Sequence, residues 1–327
     1  MNDGSVHPSL PDIRAALARI EAGIVKTPLL RCDALDEQVG GQVFLKAECL
    51  QTTGAFKLRG ALNLLGQLSA EQARRGIITY SSGNHGHAVA AAARRLGMSA
   101  TVLMPADSVG TKVALTRAQG AEVIFFERGR QDALTLAGEL RPSAVVVPPA
   151  NHFDVISGQG TVALEILAQL QTLGEANPDM LLVPCGSGGL TAGCALVLAS
   201  LAPDVQVFAV EPADFDDTTR SLAGGSRVSI SPGVKTLCDA LTARIPAPLT
   251  FAINLECGVR GLVVSDAEAL RAMAFAFKYL KLVLEPGGAV ALAAILSGKV
   301  DVRGKRIAIV CSGGNVDATL FAQAISP

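Results

Sequence analysis

The residues that could do chemistry in this sequence lie in short glycine-containing turns, each between an apolar run and a helical pattern. One turn is Cys185-Gly186-Ser187-Gly188-Gly189, after a predicted strand over 180–184. Consecutive glycines let backbone N–H groups converge on an anion, and the dipole of the following helix adds to the attraction. The turn lacks the spacing of a dinucleotide motif or a P-loop, so it indicates a cradle for a single phosphate. An ordinary turn that needs positive φ has about equal weight on this evidence.

A second turn, Ser81-Ser82-Gly83-Asn84-His85, lies between a predicted strand and a predicted helix that begins at Asn84. The free N–H groups at a helix start can hold a carboxylate. Ser82 and Asn84 would add side-chain donors. The alternative is an ordinary N-cap, for which serine and asparagine are common.

Lys57 stands at the start of a predicted helix, in the motif Gly54-Ala55-Phe56-Lys57-Leu58-Arg59-Gly60. The helix macrodipole disfavours a cation there, which would lower the pKa of the amine and favour its use as a nucleophile. A solvated lysine is the better interpretation of this motif alone. Ser312, after the last predicted strand, would present one hydroxyl near the end of the sheet, or would only cap a turn.

An acidic cluster follows the predicted strand over 205–210 and contains Glu211, Asp214, Asp216 and Asp217. Oxygen ligands at this density suit a hard divalent cation. A solvated acidic turn is about as well supported by the spacing alone.

Composition excludes several other classes of protein. The 327 residues carry 28 Lys and Arg against 29 Asp and Glu, a net charge of −1, with no Trp and only 2 Tyr. A basic nucleic-acid binder is therefore not indicated. The seven cysteines are odd in number and form no CxxC pair, which disfavours a disulfide framework or a zinc site. Because no apolar signal segment or membrane span is predicted, we expect a cytoplasmic protein that engages neither nucleic acid nor membrane.

Short apolar runs alternate with longer helical patterns along the chain, which indicates a parallel α/β fold with helices on both faces. Two tight βα repeats, 76–104 and 100–126, predict a small sheet of their own. The predicted strands are Val43–Ala47, Gly76–Tyr80, Ala100–Met104, Glu122–Phe126, Ala144–Val147, Met180–Pro184, Val205–Val210 and Arg306–Cys311. The predicted helices are Pro11–Glu21, Lys57–Leu68, Asn84–Leu96, Val109–Gln119, Gln131–Leu140, Gly160–Leu173, Leu190–Leu201, Asp266–Leu280, Ala289–Leu296 and Val316–Ile325.

In their order along nearly the whole chain, these motifs resemble the fold-type II pyridoxal-phosphate enzymes, in particular the serine/threonine dehydratase and serine racemase group. The series begins with Lys26-Thr27-Pro28-Leu29 and ends with Ser312-Gly313-Gly314-Asn315-Val316-Asp317. The resemblance implies two open, mostly parallel twisted sheets with flanking helices, as in the β subunit of tryptophan synthase. It also implies a large cofactor-binding domain (1–75 and 153–327), a small mobile domain (76–152) and a homodimer.

The resemblance assigns roles to single residues. Lys57 is similar to the lysine that carries pyridoxal 5′-phosphate, and Phe56 would lie beside the ring. Ser187 departs from the four glycines usual in the phosphate loop. The other implied contacts are Gly186, Ser187, Gly188 and Gly189 with the phosphate, Asn84 with the 3-hydroxyl, and Ser312 with the pyridine nitrogen; Ser81, Ser82, Gly83, Asn84, His85 and Arg130 with the substrate; and Glu211, Asp217 and the Phe215 carbonyl with a divalent cation (Mg, Mn or Ca).

The implied activity is a catabolic dehydratase that converts an L-3-hydroxy amino acid to a 2-keto acid and ammonia, with Lys57 removing the Cα proton. The segments 147–152 and 233–239 depart from the threonine dehydratase pattern. Because both are expected to face the substrate, a bulkier or acidic side chain is an alternative to threonine or serine. Ser82 favours a second alternative, a serine or aspartate racemase with side elimination, in which it reprotonates Cα. A non-catalytic phosphate-binding or small-ligand protein on the same scaffold is the alternative from a different class.

Overall fold

The strands form two sheets in the computed structural model, which describes residues 7–128, 130–231 and 233–326. The strands are β1 (Leu29–Leu30), β2 (Gln42–Lys46), β3 (Ile77–Tyr80), β4 (Ala100–Pro105), β5 (Glu122–Phe126), β6 (Val145–Val146), β7 (Met180–Pro184), β8 (Gln206–Pro212), β9 (Arg260–Val264) and β10 (Arg306–Val310).

Helices cover both faces of the sheets. They are α1 (Leu10–Ile20), α2 (Asp33–Val39), α3 (Leu58–Leu65), α4 (Ala70–Arg74), α5 (Asn84–Arg95), α6 (Gly110–Ala118), α7 (Ala133–Leu140), α8 (Phe153–Thr172), α9 (Gly189–Leu201), α10 (Asp217–Gly224), α11 (Pro248–Glu256), α12 (Asp266–Phe275), α13 (Pro286–Leu296) and α14 (Ala318–Ile325). Short 3-10 turns lie at Glu21–Gly23, Glu48–Leu50 and Asp239–Leu241, and a π-helical turn at Ala276–Leu280 continues α12.

The larger sheet has the strand order β1-β2-β10-β7-β8-β9, and all neighbours are parallel except β1 and β2. Its central strands β7 and β10 are buried on both faces, as their nearly unbroken apolar sequences predict. One apolar cluster packs α12 and α13 on one face, and another packs α8 and α9 on the opposite face.

The smaller sheet has the order β5-β4-β3-β6 and is entirely parallel. It contains the two predicted βα repeats, so the expectation of a small separate sheet is confirmed, as is the predicted fold class. The domain boundaries at 75/76 and 152/153 stay predictions.

Several elements differ from their predicted bounds. Helix α8 begins at Phe153, seven residues before the predicted start. Its Ser157, Gly158 and Gly160 are buried, and the two glycines pack closely against neighbouring helices. Their low intrinsic helix propensity is outweighed by this packing. Strand β9 was not predicted, since it is a partly exposed edge strand. No described helix is long and apolar enough to cross a membrane.

Candidate active site

The topology brings the chemistry-bearing turns together. Strands β10 and β7 are parallel neighbours, so the turns after them lie at the same edge of the larger sheet. The segment that leads to Lys57 is pinned to the same place by a β-bridge between Ala55 and Gly313. In α/β sheets, ligands bind at the carboxyl ends of parallel strands, which is where these turns meet.

These turns enclose a cavity of about 240 Å³ between the two sheets. It is lined by the predicted lysine, by both turns that are predicted to bind anions, and by Ser312. The lining residues are Phe56, Lys57, Tyr80, Ser81, Ser82, Gly83, Asn84, His85, Arg128, Pro149, Pro184, Gly186, Ser187, Gly188, Gly189, Leu190, Ala240, Leu241, Thr242, Ala243, Glu285 and Ser312.

Lys57 presents its amine in a place without a carboxylate partner. Its Nζ donates a hydrogen bond of 2.8 Å to the carbonyl oxygen of Pro149 and lies 5.1 Å from the centre of the Phe56 ring. Burial lowers the pKa of Lys57 to about 8, while the nearby Cys185 sulfur acts in the opposite direction. A pKa of about 8 leaves a minority of this amine uncharged near neutral pH, and this uncharged form acts as nucleophile or base.

His85 adds no competing charge to this wall of the cavity. Its Nε2 lies 3.0 Å from the carbonyl oxygen of Val147, so the proton is assigned to Nε2. Burial, followed by the charge of Lys57, lowers the pKa of His85 to about 3. The imidazole is therefore neutral at physiological pH and helps keep the Lys57 environment free of anions and cations.

The turn 186–189 is built to receive an anion. Gly188 is the N-cap of α9 and has φ +81, a left-handed conformation that favours glycine. A Cβ on Gly188 would also lie 2.9 Å from Oγ1 of Thr250. Within the described residues, the N–H groups of Gly186, Ser187 and Gly188 donate to no protein oxygen. They are therefore free to donate to an anion at this helix N-terminus.

The turn 81–85 leads into α5, whose first N–H groups have no partner within the helix. No side chain caps this end, since the N-cap is Gly83. Ser81 Oγ accepts a 3.0 Å hydrogen bond from the N–H of Gly83, which holds the turn in shape. Ser81 and Ser82 are only partly buried and line the cavity. The arrangement can hold a substrate carboxylate at the start of α5.

Asn84 is held in one orientation by its neighbours. Its Nδ2 donates to Oε1 of Glu285, and its Oδ1 accepts a 2.9 Å hydrogen bond from Nδ2 of Asn315. Because an amide nitrogen has two hydrogens, one remains for a ligand in the cavity. Glu285 also lines the cavity and is thus part of the site.

The residues of the acidic cluster differ in burial in the structure. Glu211 and Asp217 are buried, whereas Asp214 is exposed. The Glu211 carboxylate accepts hydrogen bonds from the N–H groups of Thr218 and Thr219 at the start of α10, while Oδ2 of Asp217 is buried without a hydrogen-bond partner. Burial raises the pKa of Glu211 to about 7; burial and the Glu211 charge raise that of Asp217 to about 8. Among the described residues, no group of three or more His, Cys, Asp and Glu side chains could hold a metal ion.

The arginine predicted for the substrate is placed outside the cavity. Arg128 and Arg130 are both exposed, but only Arg128 is among the residues that line the cavity. The loop between β5 and α7 follows no recognisable motif, so the sequence could not decide which of its two arginines turns inward. Arg128 also lines an adjoining recess that opens from the cavity at Ser82 and Thr242 and contains Lys235 and Arg244.

The residues present fit pyridoxal 5′-phosphate on observations of this structure: an amine of lowered pKa beside an aromatic ring, unpaired N–H groups on a glycine turn, and a hydroxyl at Ser312. The sequence matches the family described as pyridoxal-phosphate dependent enzyme over residues 20–313. The chain belongs to this family. The predicted family and cofactor are thereby confirmed.

Relatives of this pyridoxal-phosphate-dependent enzyme carry two kinds of name. An L-threo-3-hydroxyaspartate ammonia-lyase of Saccharomyces cerevisiae is 39% identical, with 98% of this chain and 97% of the relative covered. A serine racemase of Schizosaccharomyces pombe is 38% identical over 100% of both chains. The solved structure of maize serine racemase superposes with a TM-score of 0.89 at 34% identity, over 97% of this chain and 96% of that one. These relatives confirm the prediction of a pyridoxal-phosphate-dependent lyase and agree with the racemase alternative.

Proposed function

We propose that the protein is an ammonia-lyase that dehydrates an L-3-hydroxy amino acid to a 2-keto acid and ammonia. The observation that carries this proposal is the Lys57 amine, whose pKa is lowered to about 8 and which faces a cavity lined by the two glycine-containing turns 81–85 and 186–189. One turn suits a phosphate and the other suits the substrate carboxylate. An amine between two such anchors can remove a proton from the Cα that lies between them.

Each wall of the cavity has a defined task in this reaction. The N–H groups at the start of α5 bind the substrate carboxylate and orient the Cα–H bond towards Lys57. The Lys57 amine takes the Cα proton, and the 3-hydroxyl group leaves with a proton as water. Hydrolysis of the resulting enamine consumes one water and releases ammonia and the keto acid, so the number of water molecules is unchanged over the whole reaction.

Pyridoxal phosphate, when bound, supplies the electron sink that makes this Cα proton acidic. Lys57, Phe56, Asn84, the turn 186–189 and Ser312 would hold it. A neutral hydroxyl at Ser312, rather than a carboxylate, would leave the pyridine nitrogen unprotonated. This favours elimination over side reactions of a long-lived carbanion.

The recess beside the cavity has three cations against the two carboxylates of Asp107 and Asp239, and this small excess of positive charge favours an acidic substrate side chain. Arg128 lines the cavity, and Lys235 and Arg244 line the recess that joins it. Only Arg128 among these cations has an ion-pair partner in the described structure, the exposed Asp107 at 3.0 Å. The name of the yeast relative, L-threo-3-hydroxyaspartate ammonia-lyase, supports the same class. We propose 3-hydroxyaspartate as the preferred type of substrate, with Arg128 as the partner of its side-chain carboxylate.

The pair Arg128 and Arg130 tests this assignment. Arg128→Gln is expected to raise KM for L-threo-3-hydroxyaspartate about tenfold or more while KM for L-serine changes little, because only the former has a second carboxylate. Arg130→Gln, two residues away and outside the cavity, is the matched control and should leave both values unchanged. A raised KM for L-threo-3-hydroxyaspartate in Arg130→Gln, with no change in Arg128→Gln, would instead assign the side-chain carboxylate to Arg130.

Racemisation is a second candidate, and Ser82 is the observation that favours it. Its hydroxyl lines the same cavity as Lys57 and makes only a long contact of 3.5 Å, to the carbonyl oxygen of Asp239. A weakly held hydroxyl can donate a proton to Cα from the side opposite Lys57. The serine racemase names among the relatives support this candidate.

A divalent cation at Glu211, Asp217 and the Phe215 carbonyl is also proposed. The buried, unpartnered Oδ2 of Asp217 supports it, since a buried polar atom without a partner is costly. A chelator should lower the midpoint of thermal unfolding, and Glu211→Ala should remove that sensitivity. If a chelator does not change the unfolding midpoint of the wild-type protein, the proposed cation site is wrong.

One incubation tests the proposed activity. The purified protein with pyridoxal phosphate and Mg²⁺ is given L- and D-serine, L-threonine, L-threo-3-hydroxyaspartate and phenylserine in turn. Keto acid and the chirality of the remaining amino acid are read from the same sample. Keto acid without inversion supports the lyase. Inversion faster than keto acid formation supports the racemase, and neither product from any amino acid contradicts both.

A further inference from the structure

A second buried lysine, Lys112, lies behind the substrate-binding turn in a cluster of charged groups. Its Nζ donates to both carboxylate oxygens of Asp239, at 2.8 and 2.7 Å, and to Oε2 of Glu285 at 2.7 Å. These bonds use all three ammonium hydrogens. The Lys112 side chain is 2% exposed.

The ion pairs of Lys112 connect the two halves of the fold. Lys112 is in α6, which lies between β4 and β5 of the smaller sheet. Glu285 precedes α13, which packs on the larger sheet, and Asp239 begins a 3-10 turn whose Leu241 belongs to the same core. One side chain of the smaller half therefore binds two points of the larger half.

The stem of Lys112 also passes directly under the turn that receives the substrate. A Cβ on Gly83 would lie 2.3 Å from Cδ of Lys112, so the turn and the stem are in close packing contact. Through Glu285, the ammonium group further reaches the amide of Asn84. A displacement of Lys112 would therefore also shift Gly83 and Asn84.

Asp239 starts the segment that covers the cavity. Ala240, Leu241 and Thr242 line the cavity, and the Ala240 carbonyl would lie 3.3 Å from a Cβ on Gly186 in the glycine turn. The Asp239 carbonyl is the contact of Ser82 Oγ at 3.5 Å. We call residues 239–242 the roof. The Asp239 carboxylate joins it to Lys112 and is 29% exposed, so it is the most accessible part of the cluster.

Charge argues against a chemical role for Lys112 itself. Burial alone would lower the pKa of Lys112, but the carboxylates of Glu285 and Asp239 raise it above its usual value. Lys112 does not line the cavity. A permanently charged ammonium outside the cavity cannot remove a proton from the substrate, but it can hold other groups in place.

We propose that Lys112 is a positioning residue with two separate contacts. Its ion pair with Asp239, which we call the latch, holds the roof over the substrate-binding turn. Its ion pair with Glu285 fixes the orientation of the Asn84 amide. The inference rests on the proposed function for its kinetic consequences only. The two ion pairs of Lys112 have different tasks. The pair with Asp239 retains the amino acid, and the pair with Glu285 orients Asn84, which contacts the cofactor.

Asp239→Asn in the holoenzyme is the test, because it removes one charge and leaves Lys112 paired with Glu285. KM for L-threo-3-hydroxyaspartate and L-serine is expected to rise about tenfold, with kcat and the Kd of pyridoxal phosphate changed by less than about threefold. Asp239→Glu should recover part of the loss. Asp301→Asn, which removes an exposed ion pair with Arg303, is the matched control and should change none of these values.

Hydrogen exchange gives a readout that does not depend on turnover. Peptides that cover residues 81–85 and 239–242 should exchange about tenfold faster in Asp239→Asn, while a peptide from α14 keeps its wild-type rate. Unchanged exchange in both peptides would overturn the latch even if the enzyme is an active lyase. Faster exchange in a protein that turns over no amino acid would support the latch and contradict the proposed function.

Discussion

Lys57 lines the cavity together with the substrate-binding turn, and Lys112 packs against Gly83 of that turn, yet their environments shift their pKa values in opposite directions. The pKa of Lys57 is lowered to about 8 because burial acts without a carboxylate to offset it. The pKa of Lys112 is raised because Glu285 and Asp239 outweigh its burial. Lys57 contacts a carbonyl oxygen at 2.8 Å, whereas Lys112 contacts three carboxylate oxygens.

This difference shows that burial alone does not produce a reactive amine. Burial without an anion destabilises the ammonium form and makes the lysine a base at neutral pH. Burial with two anions makes the same residue type a permanent cation that holds structure together. Lys57 therefore serves the chemistry and Lys112 the positioning of other groups. Replacement of Lys57 should mainly reduce turnover, and replacement of Lys112 should mainly reduce stability.

The largest expected effect is on turnover by Lys57→Ala. Loss of the Cα base should reduce kcat about 10³-fold or more, because a positioned general base contributes 10²- to 10⁴-fold. Initial rates of keto acid formation measure this. Lys26→Ala removes an exposed lysine and serves as the control. Wild-type turnover in Lys57→Ala would show that another group is the base.

The next effect is on stability and belongs to Lys112→Met. Removal of the cation leaves the buried Glu285 and part of Asp239 unpaired, so the free energy of unfolding should fall by about 3–5 kcal/mol. Denaturant unfolding of the cofactor-free protein measures it. Lys57→Met breaks no ion pair and should not cause such a loss. Equal losses from the two variants would contradict the distinction between the lysines.

The smallest effect is the pH dependence of stability that Lys57 causes. Its folded-state pKa of about 8 lies below the usual 10.5, so between these values the unfolded chain binds more protons than the folded one. The stability cost of Lys57 is therefore complete below pH 8 and disappears as pH rises to 10.5. Lys57→Met should raise the free energy of unfolding by roughly 1–2 kcal/mol at pH 7 and by less at pH 10. A gain independent of pH would contradict the lowered pKa.

The sequence allowed one of these two lysines to be predicted. Lys57 lies in a dense local motif, and the glycine turn and the alternating strands carry similar local signals. Lys112 has no such signal, since its meaning comes from Asp239 and Glu285, which are 127 and 173 residues away along the chain. Arg128 and the roof were missed for the same reason. Contacts that depend on the packing of two sheets cannot be read from spacing within one segment.

The most direct test asks which lysine carries the cofactor. The holoenzyme is treated with borohydride, which fixes pyridoxal phosphate to the amine that holds it, and the modified peptide is identified by mass spectrometry after proteolysis. The account predicts modification of Lys57, with Lys112 unmodified. Modification of Lys112, or of any lysine other than Lys57, would contradict the assignment of the amine with the lowered pKa as the reactive group.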